Sequence, residues 1–178
     1  GVPTLVLSSA DSVDQTYSQL AVLGDATGHS AAADELATGI ERDIEAIVEE
    51  VGDLEPQTYF YEVSDSLHSV TSETFVGGLL GRLGLESIAD NAPDAAGGYP
   101  QLTNEFVLSA DPAFVFLADA GAGVDVSTAV QRPGWAELSA VRNSRVVQLP
   151  DDIATRWGPR LVELLQAVAD VITAPAVG

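Results

Sequence analysis

Residues 31–51 carry the longest helical pattern of apolar and polar positions in the chain. Apolar side chains recur there at steps of three and four, at Leu36, Ile40, Ile44, Ile47, Val48 and Val51. The opposite face is charged, with Glu35, Arg42, Asp43, Glu45, Glu49 and Glu50. No proline interrupts the stripe, and only Gly39 weakens it. The spacing predicts one unbroken amphipathic helix over about residues 30–52, roughly 30 Å long.

Shorter apolar runs predict β-strands. Residues 57–63 are rich in aromatic and β-branched side chains, and residues 114–117 and 145–149 form further apolar runs. Residues 3–7, near the start of the chain, are predicted to form another buried strand. We therefore expect the first half of a larger protein to be missing from this chain.

Cap residues and shorter stripes predict further helices. Ser12 and Gln15 fit a capping box for a first helix, which Gly24 is expected to end. Three more helices are predicted over residues 75–83, over residues 103–108 and from Gly158 and Pro159 onward. Strands that alternate with helices predict an α/β lobe of three layers with a mainly parallel sheet. Residues 91–100, rich in proline and glycine, are predicted to form a loop, a natural rim for a binding site.

The excess of acidic residues limits the kinds of molecule that the protein can bind. The chain has 27 acidic residues against 7 basic ones, all arginine, and a net charge of -20. Such a charge repels phosphate backbones, which argues against nucleic-acid binding. The absence of cysteine excludes disulfides, thiolate zinc sites and cysteine nucleophiles. No apolar run approaches the ~20 residues that a membrane-spanning helix needs.

The motifs of common enzymes are missing from the sequence. It contains no P-loop lysine motif, no G-x-G-x-x-G after a strand and no G-x-S-x-G nucleophile elbow. An α/β enzyme would need a reactive pair of side chains, and the sequence offers none. We therefore predict a protein that is not an enzyme.

The two histidines of the chain have different predicted roles. His29 stands at the entry to the long helix and is interpreted as a surface or capping residue. Glu62, Asp65 and His68 fall within seven residues just after a predicted strand, where α/β proteins place ligands. Oxygen and imidazole groups of this kind can hold a divalent metal. The alternative is a polar loop whose side chains point to water, and the sequence leaves both open.

Five segments stand out in order along the chain: LGDATG at 23–28, LTNE at 102–105, ADPAFVFL at 110–117, QRPGWAELSAVRNSRVV at 131–147 and GPR at 158–160. Together they resemble signatures of the class III solute-binding proteins of ABC importers, the cobalamin and iron-siderophore type. The family is built from two α/β lobes joined by one rigid helix, with the ligand between them. The resemblance implies that residues 1–28 are a remnant of the N-terminal lobe and entry to the helix. Residues 29–54 would be the interdomain helix and residues 55–178 the C-terminal lobe.

The resemblance also implies a function and a location. It implies a substrate-binding component, extracytoplasmic and anchored as a lipoprotein, that delivers a cobalamin-like or ferric-siderophore ligand to an ABC permease, with no cofactor. A divalent-metal carrier of the zinc or manganese type is the alternative within the class. Outside the class, the alternatives are an α/β enzyme of unknown reaction and a stand-alone interaction module.

Several residues acquire expected roles from the family. Glu105 matches the glutamate that docks on permease arginines. Residues expected to face the ligand are Tyr59, Tyr61, Glu62, Ser64, Asp65, Arg156 and Trp157. Trp135 and Arg132 are expected to pack and fix a turn rather than to meet a ligand.

Overall fold

A parallel sheet of four short strands forms the centre of the fold. In this computed structural model, which describes residues 1–95, 97–118, 125–154 and 158–174, the strands are β1 Gln57–Glu62, β2 Leu85–Ser87, β3 Phe114–Leu117 and β4 Val146–Gln148. Their order is β2-β1-β3-β4, and every neighbouring pair is parallel. The strands predicted at 57–63, 114–117 and 145–149 are confirmed, whereas the three-residue β2 was not predicted.

Helices cover both faces of this sheet. In the described residues they are α1 Val13–Thr27, α2 Ser30–Val51, α3 Phe75–Gly81, α4 Asn104–Ala110, α5 Val126–Ala129, α6 Ser139–Arg142, α7 Asp151–Ala154 and α8 Leu161–Thr173. One apolar cluster joins α2, α3 and α8 to one sheet face, and a second joins α4 and Trp135 to the other. The predicted α/β class with a parallel sheet between helical layers is confirmed. None of the described helices is long and apolar enough to cross a lipid bilayer.

Helix α2 confirms the longest sequence pattern. It runs unbroken for 22 residues and buries Ile40, Ile44, Ile47 and Val51, four of the six positions that the apolar stripe marks. Of the other two, Val48 is half-buried and Leu36 is exposed. Its packing against α8 ties it to the lobe. The boundaries at residues 28/29 and 54/55, and the role of α2 as a joint between two lobes, stay predictions.

The prediction that Gly24 ends the first helix is wrong. Helix α1 continues to Thr27, and Gly28, in the left-handed conformation at φ 74°, caps it. Gly24 instead lies where α1 meets α2, and a Cβ atom there would stand 2.5 Å from Cβ of Ala33. Glycine is therefore present for close approach between helices rather than for a helix end.

The strand predicted at residues 3–7 is absent from the described structure. Residues 1–9 have no regular secondary structure, and Val2, Leu5 and Val6 are exposed. A strand is stabilised by hydrogen bonds to a neighbouring strand, and the four-stranded sheet does not include this segment. Apolar composition alone therefore did not produce a strand here.

Candidate ligand-binding edge

The carboxyl ends of β1 and β3 mark the candidate site. Strand order reverses between these two neighbours, and open α/β sheets bind ligands in the crevice at such a point. The two strand ends are joined beyond the regular ladder, since Ala118 N–H donates to the Glu62 carbonyl at 2.9 Å.

A tight turn follows β1 and brings the chain back on itself. Leu67 N–H donates to the Ser64 carbonyl at 3.0 Å, and Val63 N–H donates to the His68 carbonyl at 2.9 Å. Leu67 has a φ of 63°, a conformation that a leucine rarely adopts. The turn thus holds the His68 backbone beside Val63, the residue that follows β1.

A second loop is hydrogen-bonded to this turn. Ser69 N–H donates to the Pro100 carbonyl at 3.0 Å, and Thr71 N–H donates to that of Gly98 at 2.9 Å. His68 forms antiparallel bridges with both Ser64 and Gln101. The loop predicted at 91–100 therefore lies against the carboxyl edge of the sheet.

His68 carries a defined hydrogen-bond environment. Its Nδ1 lies 3.1 Å from Ser64 Oγ and 3.0 Å from Ser66 Oγ, and the two hydroxyl oxygens are 2.9 Å apart. The Gln101 amide donates to the Ser66 carbonyl at 3.0 Å. The imidazole is half-buried, and this network holds one edge of the ring in place.

Tyr99 offers an exposed aromatic side chain on the second loop. Its side chain is 54% exposed, although Gly98 and Pro100 on either side are buried. Gly98 has a φ of 81°, and a Cβ atom there would lie 2.6 Å from Thr74 Cγ2. A rigid backbone therefore presents the ring.

The two predicted tyrosines lie inside the lobe. Tyr59 and Tyr61 are fully buried in the cluster beneath α2, α3 and α8. The Tyr61 hydroxyl donates to the Ala154 carbonyl at 2.7 Å. Burial raises the pKa of both phenols well above the ordinary value. Contact with a ligand stays a prediction for both, and their burial favours a structural role.

Glu62 is engaged in a buried ion pair. Its carboxylate accepts two hydrogen bonds from Arg132 at 2.6 Å each, and it has no exposed surface. The Arg132 guanidinium also stacks 4.6 Å from the centre of the Trp135 ring. This geometry agrees with the expectation that Arg132 and Trp135 fix a turn.

The remaining predicted residues differ in accessibility. Ser64 is half-buried and Asp65 is exposed on the turn after β1. In the described residues, Glu62, Asp65 and His68 do not form a cluster that could hold a metal ion. Arg156 and Trp157 lie outside the described residues.

Three further members of this edge were not predicted from the sequence: Tyr99, Ser66 and Gln101. The sequence does carry one signal for Tyr99, the run Gly97-Gly98-Tyr99-Pro100. Two glycines beside an aromatic residue are typical of a loop that presents a side chain.

Glu105 is held away from the core at the start of α4. It is exposed in the first turn, after Thr103, whose hydroxyl caps the helix by accepting from Phe106 N–H at 3.2 Å. The side-chain amide of its neighbour Asn104 is held by hydrogen bonds at both its nitrogen and its oxygen. It donates to the Pro133 carbonyl at 3.0 Å and accepts from the Trp135 indole N–H at 2.7 Å.

The sequence of residues 1–153 matches the profile of the periplasmic binding protein family, and the chain belongs to that family. The family resemblance predicted from the five segments is thereby confirmed. Its members bind solutes and are not enzymes, which confirms the non-enzymatic prediction.

Two curated relatives show how much of a longer protein this chain matches. It is 29% identical over 177 residues to the uncharacterised ABC transporter substrate-binding lipoprotein YvrC of Bacillus subtilis, covering 97% of this chain and 54% of the relative. It is 27% identical over 179 residues to a cobalamin-binding protein of Halobacterium salinarum, covering 96% and 47%. The chain thus spans about half the length of the curated relatives it matches.

Solved structures share the fold. A possible iron-binding, periplasmic solute-binding protein from Staphylococcus epidermidis aligns with a TM-score of 0.85 at 24% identity, covering 98% of this chain and 67% of the other. The vitamin B12-binding protein BtuF of Vibrio cholerae aligns with a TM-score of 0.76 at 23% identity, covering 93% and 63%. A haem-binding protein, RhuT from Roseiflexus, aligns at 0.77 and 21%, covering 90% and 63%.

Proposed function

We propose that this chain is the joining helix and C-terminal lobe of an extracytoplasmic substrate-binding protein that serves an ABC importer. The complete protein captures a cobalamin-like or ferric-siderophore ligand between two lobes and delivers it to a permease. A lipid anchor outside this chain holds it at the membrane. The protein catalyses no reaction of the organic part of the ligand.

The family match over residues 1–153 carries this proposal, because it covers α2 and the whole sheet together. The edge geometry supports it. Ser64, Asp65, His68 and Tyr99 offer polar and aromatic groups at the switch point, where a lobe of this topology meets its ligand. The names of the two relatives, a substrate-binding lipoprotein and a cobalamin-binding protein, support the same class.

Charge favours some ligands over others. The net charge of -20 produces a negative potential around this lobe, which opposes the approach of anions and favours neutral or cationic ligands. Corrinoids and ferric hydroxamates fit this requirement better than trianionic ferric catecholates. The charge of this lobe therefore favours a neutral or cationic metal complex as the ligand.

Glu105 is the proposed contact with the permease. Its carboxylate is exposed, while its neighbour Asn104 is fixed by two hydrogen bonds, so the docking group stands on a rigid support. An exposed carboxylate can form a charge-assisted pair with an arginine of the permease.

Isothermal titration calorimetry of the complete gene product and of the 178-residue chain tests the proposal. The titrants are cyanocobalamin, ferrioxamine, a ferric tris-catecholate and zinc sulfate. We expect submicromolar affinity of the complete product for cyanocobalamin or ferrioxamine, and affinity at least about 100-fold weaker for the chain alone, because half of the contact surface is absent. Binding of zinc alone, or of none of the four, would overturn the proposed function.

A further inference from the structure

The His68 ring presents one nitrogen that the described structure leaves available. Nδ1 faces the Ser64 and Ser66 hydroxyls at 3.1 and 3.0 Å, and Nε2 has no hydrogen-bond partner in the described residues. In the tautomer with the proton on Nδ1, this N–H donates to the serine pair and Nε2 carries a lone pair. Outer hydrogen bonds that fix the tautomer and orientation in this way are typical of histidines that bind metals.

The backbone holds this ring rigidly. His68 follows Leu67, whose φ of 63° is a strained conformation for leucine, and it bridges to both Ser64 and Gln101. Strain of this kind persists where the surrounding structure fixes the chain, and it is common at ligand sites. The half-exposed Tyr99 ring stands on the loop that is paired with this segment, and an aromatic face suits stacking on a flat ligand.

A single imidazole nitrogen restricts the chemical class of the metal. A free zinc ion bound by protein takes about four ligands, whereas one nitrogen can complete the sphere of a metal that a macrocycle already holds. Hexadentate siderophores leave no open position on their iron. Porphyrins with two propionates are anionic, which the charge of -20 disfavours. A corrinoid with a replaceable axial water has an open position on its metal and is not anionic, so it meets both conditions.

We propose that His68 Nε2 is an axial ligand to the cobalt of a corrinoid, an inference that rests on the proposed function. In the binding step the Co(III)–OH2 bond breaks and water leaves, while the Nε2 lone pair forms the Co–N bond. Cobalt keeps its oxidation state, and no proton is transferred. The site accordingly prefers corrinoids with axial water over those whose axial positions are blocked by cyanide.

Two cobinamides test this assignment on the complete gene product. Diaquacobinamide has water at both axial positions, and dicyanocobinamide has cyanide at both. We expect the wild-type protein to bind the diaqua form about 10-fold or more tightly than the dicyano form, which corresponds to about 1.4 kcal/mol. Its visible absorption bands should shift on binding, as expected when nitrogen replaces oxygen on cobalt.

Substitutions at the two histidines separate the outcomes. His68→Phe keeps an aromatic ring and His68→Ala removes it, so both should lose the spectral shift and the preference while still binding the dicyano form. His29→Ala, at the start of α2, is the matched control and should behave as wild type. An unchanged shift in both His68 variants, or equal wild-type affinities for the two cobinamides, would refute the assignment and leave the proposed function standing. If neither cobinamide binds but ferrioxamine does, the assignment alone fails. If no metal complex binds, the proposed function fails as well.

Discussion

Arg132 and Glu62, 70 positions apart in the chain, form a bidentate ion pair with both N···O distances at 2.6 Å. The pair ties the Arg132–Trp135 turn to the end of β1, and the guanidinium lies over the Trp135 ring. Glu62 is fully buried and Arg132 is 20% exposed. The pair therefore joins two segments that the chain sequence separates widely.

Arg132→Met should lower the free energy of unfolding by about 3 kcal/mol, because it leaves a buried carboxylate without this partner. Urea denaturation measures the loss. Arg42→Met is the control, since the Arg42–Asp43 pair is exposed and such pairs contribute well under about 1 kcal/mol. The double variant with Glu62→Gln should lose less than the sum of the two single changes. Strict additivity would contradict the ion-pair interpretation.

Two glycines in adjacent helices should respond in opposite directions to alanine. Gly24→Ala places a Cβ atom 2.5 Å from Ala33 and 3.1 Å from the Ser30 backbone, so it should destabilise by about 1–3 kcal/mol. Gly39→Ala meets no atom within 4 Å and should stabilise α2 by about 0.5–1 kcal/mol. Thermal unfolding of the pair measures both. A stabilising Gly24→Ala would mean that the contact between α1 and α2 is looser than described.

Asp111 should make the stability pH-dependent below neutrality. Its carboxylate accepts from the Ser139 backbone N–H and hydroxyl at 2.7 Å each, and these bonds lower the pKa of Asp111 below its ordinary value of 3.8. Because the unfolded chain binds the proton more readily, the contribution is present above 3.8 and is lost as the pH falls through the lowered pKa. The effect is modest because the side chain is exposed.

Asp111→Asn is the variant that isolates this effect. Asparagine tolerates the left-handed backbone at φ 44° but lacks the charge. The melting temperature of wild type should exceed that of the variant at pH 6, and the difference should shrink toward pH 2. If the difference in melting temperature did not change with pH, the stabilising effect of Asp111 would come from the shape of its side chain and not from its charge.

Glu105→Ala should spare ligand affinity and reduce uptake. Losing one charge-assisted pair with the permease should weaken docking by about 1–3 kcal/mol, so that uptake falls without vanishing. Ligand affinity, melting temperature and uptake are measured on the same complete protein. Glu137→Ala, another exposed acid, is the control. Normal uptake would remove the docking role, and lost ligand affinity would move Glu105 into the ligand site.

The regular elements were largely predictable because their signals are local. The apolar stripe of α2 and the aromatic run of β1 both required no knowledge of distant residues. Strand β2 was missed because three residues with an exposed Glu86 at the centre leave almost no pattern. Gly24 was misread because its reason for being glycine lies in the next helix.

The candidate edge was only partly predictable. Tyr59 and Tyr61 lie in a central parallel strand that is covered on both faces, so its sequence carries no alternation to separate buried from accessible positions. The loop that carries Tyr99 pairs through its backbone with the segment of His68, about 30 residues away in the chain, and no local pattern encodes that pairing. The contact between Arg132 and Glu62 is also long-range in the sequence. Only the family signature indicated that Arg132 belongs to a turn.

The exposed segment at residues 2–6 has a consequence for the protein in solution. Val2, Leu5 and Val6 form an exposed apolar stretch that belongs to no strand of the sheet. Exposed apolar side chains of this kind can bury one another when two chains meet. The isolated chain should therefore self-associate as its concentration rises despite its strong negative charge, and a lysine in place of Val6 should keep it monomeric.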